Sequence, residues 1–360
     1  MKAAIIGCGP AGPRRGGAHS ISYLHARAML HAGTERIRLE AAASRNEANV
    51  RDFAAEFPGI RGYRDYREML EVERPEFVSV CAFPPDREEM VLAALEVGAR
   101  AVLVEKPFAL SIGAAKRMLQ AAKSCEARLF VNFQRRFGKP FEWVRKAVGE
   151  GRIGRLTGVQ VSQPGNKLID FGPHLIDTAL DVVMSVSAED RPIRVLGAVE
   201  WGGGEYQGVP VEAQMAGTVH FASGVRLVIE AGLRQPERLP ILRFDGEHGF
   251  AELRLTPLTG ESGIARGRFR GEGEISICGE DENFHHGPVD SNLYANRAFK
   301  EMLHALQMGA PSRLDAAAVL PGLEILLALF ESAKQGRMVS LPLETEEAPF
   351  GGVFRLPSTK

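Results

Sequence analysis

Lys2-Ala3-Ala4-Ile5-Ile6-Gly7-Cys8-Gly9-Pro10-Ala11-Gly12 couples a short apolar run to a Gly-x-Gly-x-x-Gly spacing. The run Lys2–Ile6 reads as a β-strand, and the glycines follow it directly. That context gives the spacing its meaning: the first glycine allows a tight turn, and the second lets backbone approach a pyrophosphate. The helix beyond offers N–H groups and a positive dipole end to phosphate. Gly7, Gly9, Pro10, Ala11 and Gly12 are therefore candidate dinucleotide contacts. Pro13-Arg14-Arg15-Gly16-Gly17 delays the helix, so the loop is longer than the minimal one. Arg14 or Arg15 could neutralise phosphate; a solvated basic loop is the alternative.

Outward from this stretch, strands and helices alternate. Arg38–Ala43, Phe77–Cys81, Ala101–Val104 and Arg128–Val131 read as strands. Ala18–Ala32, Glu47–Glu56, Asp65–Glu71, Arg87–Val97 and Ser111–Lys123 read as helices, with Ser111 as an N-cap. Such alternation predicts a doubly wound parallel sheet of the Rossmann type, covered on both faces. The pattern then changes. Helices are expected at Phe141–Val148 and Pro173–Met184, and a strand at Leu156–Val161. From Ile193 to about Ile277 come short alternating segments separated by turns such as Ser223-Gly224 and Asp245-Gly246. These predict a large, mostly antiparallel open sheet packed on helices. Two closing helices, Asn292–Met308 and Ala316–Gln335, follow. The fold class is α/β followed by α+β, with domains at 1–127 and 128–343 and a loosely ordered tail at 344–360.

Bulk properties narrow the function. The 360 residues carry a formal charge of −1, which gives no reason to expect nucleic acid or an anionic membrane as partner. The N-terminal segment lacks the pattern of a secretory leader. No apolar stretch reads as reaching the roughly 20 residues that span a bilayer. Cys8, Cys81, Cys125 and Cys278 are scattered, with no metal-ligand spacing, so no metal site is expected. Cys8 and Cys81 read as small buried hydrophobes, and the thiols suit the reducing cytoplasm.

The end of the second strand bears on which cofactor binds. A carboxylate there would accept the ribose hydroxyls of NAD. Here the strand runs into Ala43-Ser44-Arg45-Asn46, with no carboxylate until Glu47. Ser44 and Arg45 offer a donor and a cation to a 2′-phosphate, which favours NADP over NAD; Arg45 stacking on adenine would suit either. Glu105-Lys106-Pro107 follows the fourth strand named above, at a carboxyl end where ligands bind in open α/β sheets. Further along, Asp170 lies just ahead of His174, and Pro173 suits the first turn of a helix. A histidine with a pKa near working pH suits a proton transfer, and a lysine can stabilise a developing alkoxide. A capped histidine and a helix-start aspartate are the plain alternatives. Asp177, one turn on, reads as a helix-stabilising residue.

With these motifs in place the sequence resembles the family named after glucose–fructose oxidoreductase, inositol dehydrogenase and a rhizopine-catabolism protein. The glycine segment, Glu105-Lys106-Pro107, the run Gly165-Asn166-Lys167-Leu168-Ile169-Asp170-Phe171-Gly172-Pro173-His174 and the closing Gly336-Arg337-Met338-Val339-Ser340-Leu341-Pro342 carry the likeness. It departs at Asn166, where a second glycine is usual. It departs again at Phe83-Pro84-Pro85-Asp86-Arg87, where many members have a proline–asparagine–histidine segment. The resemblance implies hydride transfer between NADP or NAD and a sugar, sugar derivative or inositol-like polyol. It implies Lys106, Asp170 and His174 as catalytic residues, and Phe83, Pro84 and Glu105 beside the cofactor. It also implies a homodimer or homotetramer formed through the second sheet. Some relatives instead cleave glycosides by transient oxidation with tightly held NAD, and a cofactor-sensing binding protein is a third reading. Asn132, Arg135, Arg136, His285, His286, Trp143 and Trp201 are weaker candidates, read by default as loop, solvated or packing residues.

Overall fold

The computed structural model describes residues 1–10, 21–165, 168–206, 209–233, 240–255, 264–269, 271, 273–278 and 293–349. These form two compact units. The first comprises residues 1–109, 114–137 and 282–319; the second comprises 110–113, 138–281 and 320–360.

The first unit is built on six parallel strands: β1 (Lys2–Ile6), β2 (Arg38–Ala43), β3 (Arg61–Tyr63), β4 (Phe77–Val80), β5 (Ala101–Val104) and β6 (Arg128–Val131). Their spatial order is β3-β2-β1-β4-β5-β6. The order reverses between β1 and β4, which opens a crevice at their carboxyl ends. β1, β4 and β5 are almost wholly apolar and buried, as strands covered on both faces must be. The intervening helices are α1 (Ile21–Ala32), α2 (Glu47–Glu56), α3 (Tyr66–Glu73), α4 (Arg87–Glu96) and α5 (Ile112–Ser124). Asn46 starts α2 by accepting from the backbone N–H groups of Ala48 and Asn49, and Asp65 starts α3 through Arg67.

Two features correct the boundary expected at residue 127. β6 pairs with β5 along its whole length, from Arg128 against Ala101 to Val131 against Val104, so the sheet continues past that point. The helix Leu293–Met308, α8, also belongs to this first unit, although it stands late in the sequence. There the ring of Phe299 meets His25 of α1 at 5.6 Å and Phe77 of β4 at 6.2 Å. Asp315 takes Arg128 as a partner at 2.7 Å.

At the outer edge Glu73, 3% exposed, gathers Arg61 at 2.5 Å, the Tyr63 hydroxyl at 2.5 Å and Lys2 at 2.8 Å. Burial pushes its carboxyl up, but these donors outweigh burial and hold the pKa at about 2, from 4.5. The stabilisation is thus fully present above about pH 4.5 and is lost as pH falls toward 2. Glu73→Gln is expected to cost about 2 kcal/mol at pH 7, after allowance for its half-exposed partners. In urea melts the gap to wild type should close as pH falls through that window; a gap that persists at pH 2 would contradict it.

The second unit centres on a nine-stranded sheet, ordered β14-β13-β12-β11-β7-β10-β9-β8-β15. In chain order its strands are β7 (Leu156–Pro164), β8 (Pro192–Tyr206), β9 (Val209–Phe221), β10 (Arg226–Leu233), β11 (Ile241–Gly246), β12 (Gly249–Arg254), β13 (Ile264–Arg268), β14 (Glu274–Cys278) and β15 (Val339–Ser340). Only β7 and β10 pair in parallel; the other pairs are antiparallel, as the alternating segments predict. Helices α6 (Lys139–Gly149) and α7 (Gly172–Val186) pack on one face. Leu242, Phe244, Ala251 and Leu253 point to that face and are fully buried, while Arg243, Phe250, Glu252 and Arg254 alternate onto the other.

Helix α9 (Ala316–Gln335) overturns one expectation. It is 20 residues long and holds an 18-residue stretch of mean hydropathy 1.6, enough by length and composition to cross a membrane, of which 67% is buried in the fold. Pro321 and Glu324 interrupt the apolar run, which is why the sequence alone reads as too short.

Candidate active site

The crevice between β1 and β4 is a cavity of about 600 Å³. Its floor is the turn after β1. Gly7 adopts φ +91°, where its amide and that of Cys8 both donate to Ala43 O, at 2.9 and 3.1 Å. A Cβ on Gly7 would lie 2.8 Å from Ala82 N, so the backbone ends of β1 and β4 touch there without a side chain. Gly9 N donates to Ser22 Oγ of α1 at 3.2 Å. Gly7, Gly9, Pro10, Ser44, Arg45 and Phe83 all line the cavity. Ala11 and Gly12 lie outside the described residues. Pro84 is buried in the short turn of 3₁₀ helix that follows Phe83 and is not part of the lining, contrary to expectation.

The far wall is polar. Arg45 is exposed and reaches Asp86 at 3.4 Å. Arg64, which sequence reasoning passed over, joins it on the lining from just beyond β3. The signal for Arg64 was weak, because the three-residue β3 is too short for alternation to reveal. Burial pushes the Cys8 thiol up to about 12, so Cys8 is an inert wall residue. Cys81, by contrast, is half-exposed to the cavity, which corrects its reading as a buried hydrophobe.

At the end of β5 stands Glu105-Lys106. Glu105 was expected beside the cofactor; its carboxylate is instead buried, at 5% exposure. Its Oε1 accepts from Asn132 Nδ2 at 2.6 Å and lies 3.0 Å from His25 Nε2, and its Oε2 accepts the Lys106 N–H at 3.2 Å. Burial acts to raise the carboxyl, but His25, the Lys106 charge and the Asn132 hydrogen bond together outweigh it and hold the group below the usual carboxylate range. The other His25 nitrogen, Nδ1, lies 2.6 Å from Ser79 Oγ and 3.5 Å from Cys81 Sγ. Sequence reasoning missed His25. Its signal was a histidine on the apolar face of the first helix, beside Tyr23 and Leu24. Arg87, also missed, is 4% exposed and donates to Ala82 O at 2.9 Å and to Pro107 O, tying the loop after β4 to the loop after β5.

The remaining weak candidates separate cleanly. Asn132 belongs to the Glu105 knot. Arg136 is not solvated: it is 6% exposed and donates to Arg313 O at 2.5 Å. Arg135 is held below the ordinary arginine range, at about 10, by burial. Trp143 packs on Phe269 at 5.6 Å, and Trp201 stacks on Phe330 at 5.8 Å. His285 and His286 lie outside the described residues.

In the second unit Asp170 and His174 fall within one turn of each other at the start of α7. Pro173 occupies the first turn, as its missing N–H allows. His174 is 9% exposed, with its ring edge toward Phe171 at 6.1 Å. The segment leading to them is pinned by Glu212 of β9, fully buried, whose Oε1 accepts the Leu168 N–H. Glu212 was legible only as the first residue of a strand. Asn166 and Lys167 lie outside the described residues.

Residues 1–133 match the model of the oxidoreductase family with an NAD-binding Rossmann fold. The chain is 29% identical over 109 residues to the myo-inositol 2-dehydrogenase of Thermotoga maritima, covering 30% of this chain and 32% of that one. It is 28% identical over 224 residues to the D-glucoside 3-dehydrogenase of Escherichia coli, covering 54% and 62%. The chain thus spans between about a third and just under two thirds of these curated relatives. The crystal structure of an oxidoreductase from Agrobacterium radiobacter, in complex with NAD+, L-tartaric acid and magnesium, superimposes with a TM-score of 0.75 at 18% identity, covering 94% of this chain and 98% of that one. That likeness extends the shared fold to both units. The likeness to the oxidoreductase family with an NAD-binding Rossmann fold is thus carried by the first 133 residues of the chain.

Proposed function

We propose that the protein is an NAD(P)-dependent dehydrogenase or reductase acting on a hydroxyl or keto carbon of a sugar, sugar derivative or inositol-like polyol. The observation that carries this reading is the side-chain-free cradle at Gly7, set in a cavity at the β1/β4 reversal with Lys106 at the end of β5. A bulky, charged pyrophosphate needs such close backbone approach, so the residues present fit a dinucleotide. From the β2 end at Ser44-Arg45 to the β5 end at Lys106 there are three strand spacings, roughly 14 Å. An extended dinucleotide crossing the crevice would thus have its adenosine ribose at one end and its nicotinamide at the other. When bound, the nicotinamide supplies the acceptor or donor of a hydride.

The chain's residues handle the accompanying proton. In alcohol oxidation, one hydrogen leaves carbon with its electron pair and the hydroxyl gives up a proton. Lys106 stabilises the developing alkoxide through its Nζ. His174 takes or returns the proton, and Asp170 accepts a hydrogen bond from a substrate hydroxyl. The relatives support the substrate class, since both are named as dehydrogenases of a polyol or a glucoside.

NADP is the preferred cofactor in this reading. The two residues directly after β2 are Ser44 and Arg45 rather than a carboxylate, and Arg64 joins them on a wall that Asp65, Asp86 and Glu89 also line. Arg45→Asp is expected to weaken NADP binding by about 30-fold, the worth of one charge-assisted hydrogen bond, while NAD changes by less than about threefold. Equal losses for the two cofactors in titration calorimetry would reject the preference. The activity itself is tested by incubating a panel of sugars, inositols and their keto forms with NADP and with NAD and following absorbance at 340 nm; no turnover across the panel would count against the reading. We further infer a cytoplasmic setting, in keeping with unpaired thiols, and a homodimer or homotetramer built on the outer face of the large sheet. Leu196 and Val228 on that face are 43% and 39% exposed.

A further inference from the structure

We propose that His25 is a positioning residue: as a buried imidazolium it is the counter-charge of Glu105, and through that carboxylate it fixes the main chain at Lys106. The proposal rests on the catalytic role assigned to Lys106 above.

The observation is a closed polar knot inside an otherwise apolar region. His25 is fully buried on α1, and its ring is met from four elements: Ser79 and Cys81 from β4 and its end, Glu105 from the end of β5, Asn132 from the end of β6, and Phe299 from α8. Glu105 is the carboxylate that faces the ring, and Cys81 is the thiol that does so. A buried carboxylate without a counter-charge is costly enough to neutralise itself by taking a proton. Here every donor to Glu105 is fixed. Asn132 and His25 converge on Oε1, and the Lys106 amide holds Oε2. Asn132 and the amide are neutral, so among the hydrogen bonds described to Glu105 it is His25 that can bring a charge, while the Lys106 ammonium acts on the carboxylate through space.

The pairing also directs the chain. Nε2 lies 3.0 Å from Glu105 Oε1 and 2.9 Å from the Asn132 amide nitrogen, and of these two only the carboxylate oxygen can accept a proton carried on Nε2. With Oε1 filled from one side, Oε2 is left to take the main-chain N–H of Lys106, the residue that bears the catalytic amine. Burial opposes the charge, but Cys81 and Glu105 raise the His25 pKa to about 10. The ring's charge therefore persists across neutral pH and is lost only as pH rises through that value.

The test uses the full-length protein. In wild-type enzyme labelled with ¹⁵N-histidine, both ring nitrogens of His25 should carry protons from pH 6 to 8.5. A neutral ring in that range overturns the proposal, whatever happens to activity. In His25→Asn, kcat should fall by about 10- to 100-fold, the cost of a displaced catalytic group. The cofactor Kd, read by calorimetry, should stay within about threefold. Because the carboxylate then loses its hydrogen-bonded counter-charge and keeps only the through-space pull of Lys106, its pKa should rise into the assay range. The kcat–pH profile of His25→Asn should thus acquire a new ionisation that His25→Asn/Glu105→Gln lacks. A merely structural histidine would not produce that difference. Wild-type kcat and pH profile in His25→Asn, with Lys106→Ala inactive, overturns the inference alone; an active Lys106→Ala overturns the functional reading.

Discussion

Lys106→Ala is expected to lower kcat by about 10³- to 10⁴-fold while leaving the cofactor Kd within about threefold. The magnitude is that of removing one group that both stabilises developing charge and carries a proton. The selectivity follows from position. The cavity that would hold the dinucleotide is lined from the ends of β1, β2, β3 and β4, and Lys106 is not among its lining residues but follows the end of β5. Its main-chain amide, not its side chain, makes the bond to Glu105, so truncation leaves the buried knot intact. Lys106→Arg should recover little, because a guanidinium keeps the charge but does not release its proton. Single-turnover measurements with saturating cofactor separate the outcomes. Loss in the hydride step supports the assignment; a variant that turns over at near the wild-type rate removes Lys106 from the chemistry.

Gly7→Ala should act on the other half of the site, and on stability as well. At φ +91° an L-residue is strained by about 1–2 kcal/mol. The added methyl would also stand 2.8 Å from Ala82 N, a backbone atom that no rotamer change can move aside. The ends of β1 and β4 must separate, loosening the Cys81 N–H bond to Ile6 O, now 2.8 Å. Together these should cost about 3 kcal/mol of folding stability and at least about 30-fold in cofactor affinity. Denaturant melts and calorimetric titration read the two effects independently. A stable variant that binds cofactor normally would show that the cradle is not where the pyrophosphate lies.

Much of this architecture is legible in the chain. β1, β2, β5, β6, α2 and α9 begin and end where periodicity, caps and breakers place them, because each is long or apolar enough for local chemistry to decide. Where tertiary structure decides, the sequence is silent. Arg61–Tyr63 is too short to show alternation and becomes a strand only through β2. Glu105 carries a charge and follows an exposed-looking motif, so it reads as a cofactor contact. Two partners from distant segments, His25 and Asn132, together with the adjacent Lys106 amide, reveal why it is buried. Similarly, nothing local distinguishes a helix at 293–308 that serves the first unit from one that serves the second. The glycine motif and Lys106 were findable because their chemistry is local; His25, Arg87 and Glu212 act across sequence gaps that one sequence does not close.

The late arrival of α8 sets a timetable for biosynthesis. His25 and Phe77 are covered by Phe299, which the ribosome adds long after β6 has emerged. At about 5–20 residues per second, the six-strand sheet waits roughly 10–30 s with that patch bare. A nascent chain in this interval presents an apolar surface around an unsheltered imidazole–carboxylate pair, a natural stopping place for a holdase chaperone. A gene fragment ending at Phe137 would make that interval permanent. The first unit is thus contiguous in space but not in time.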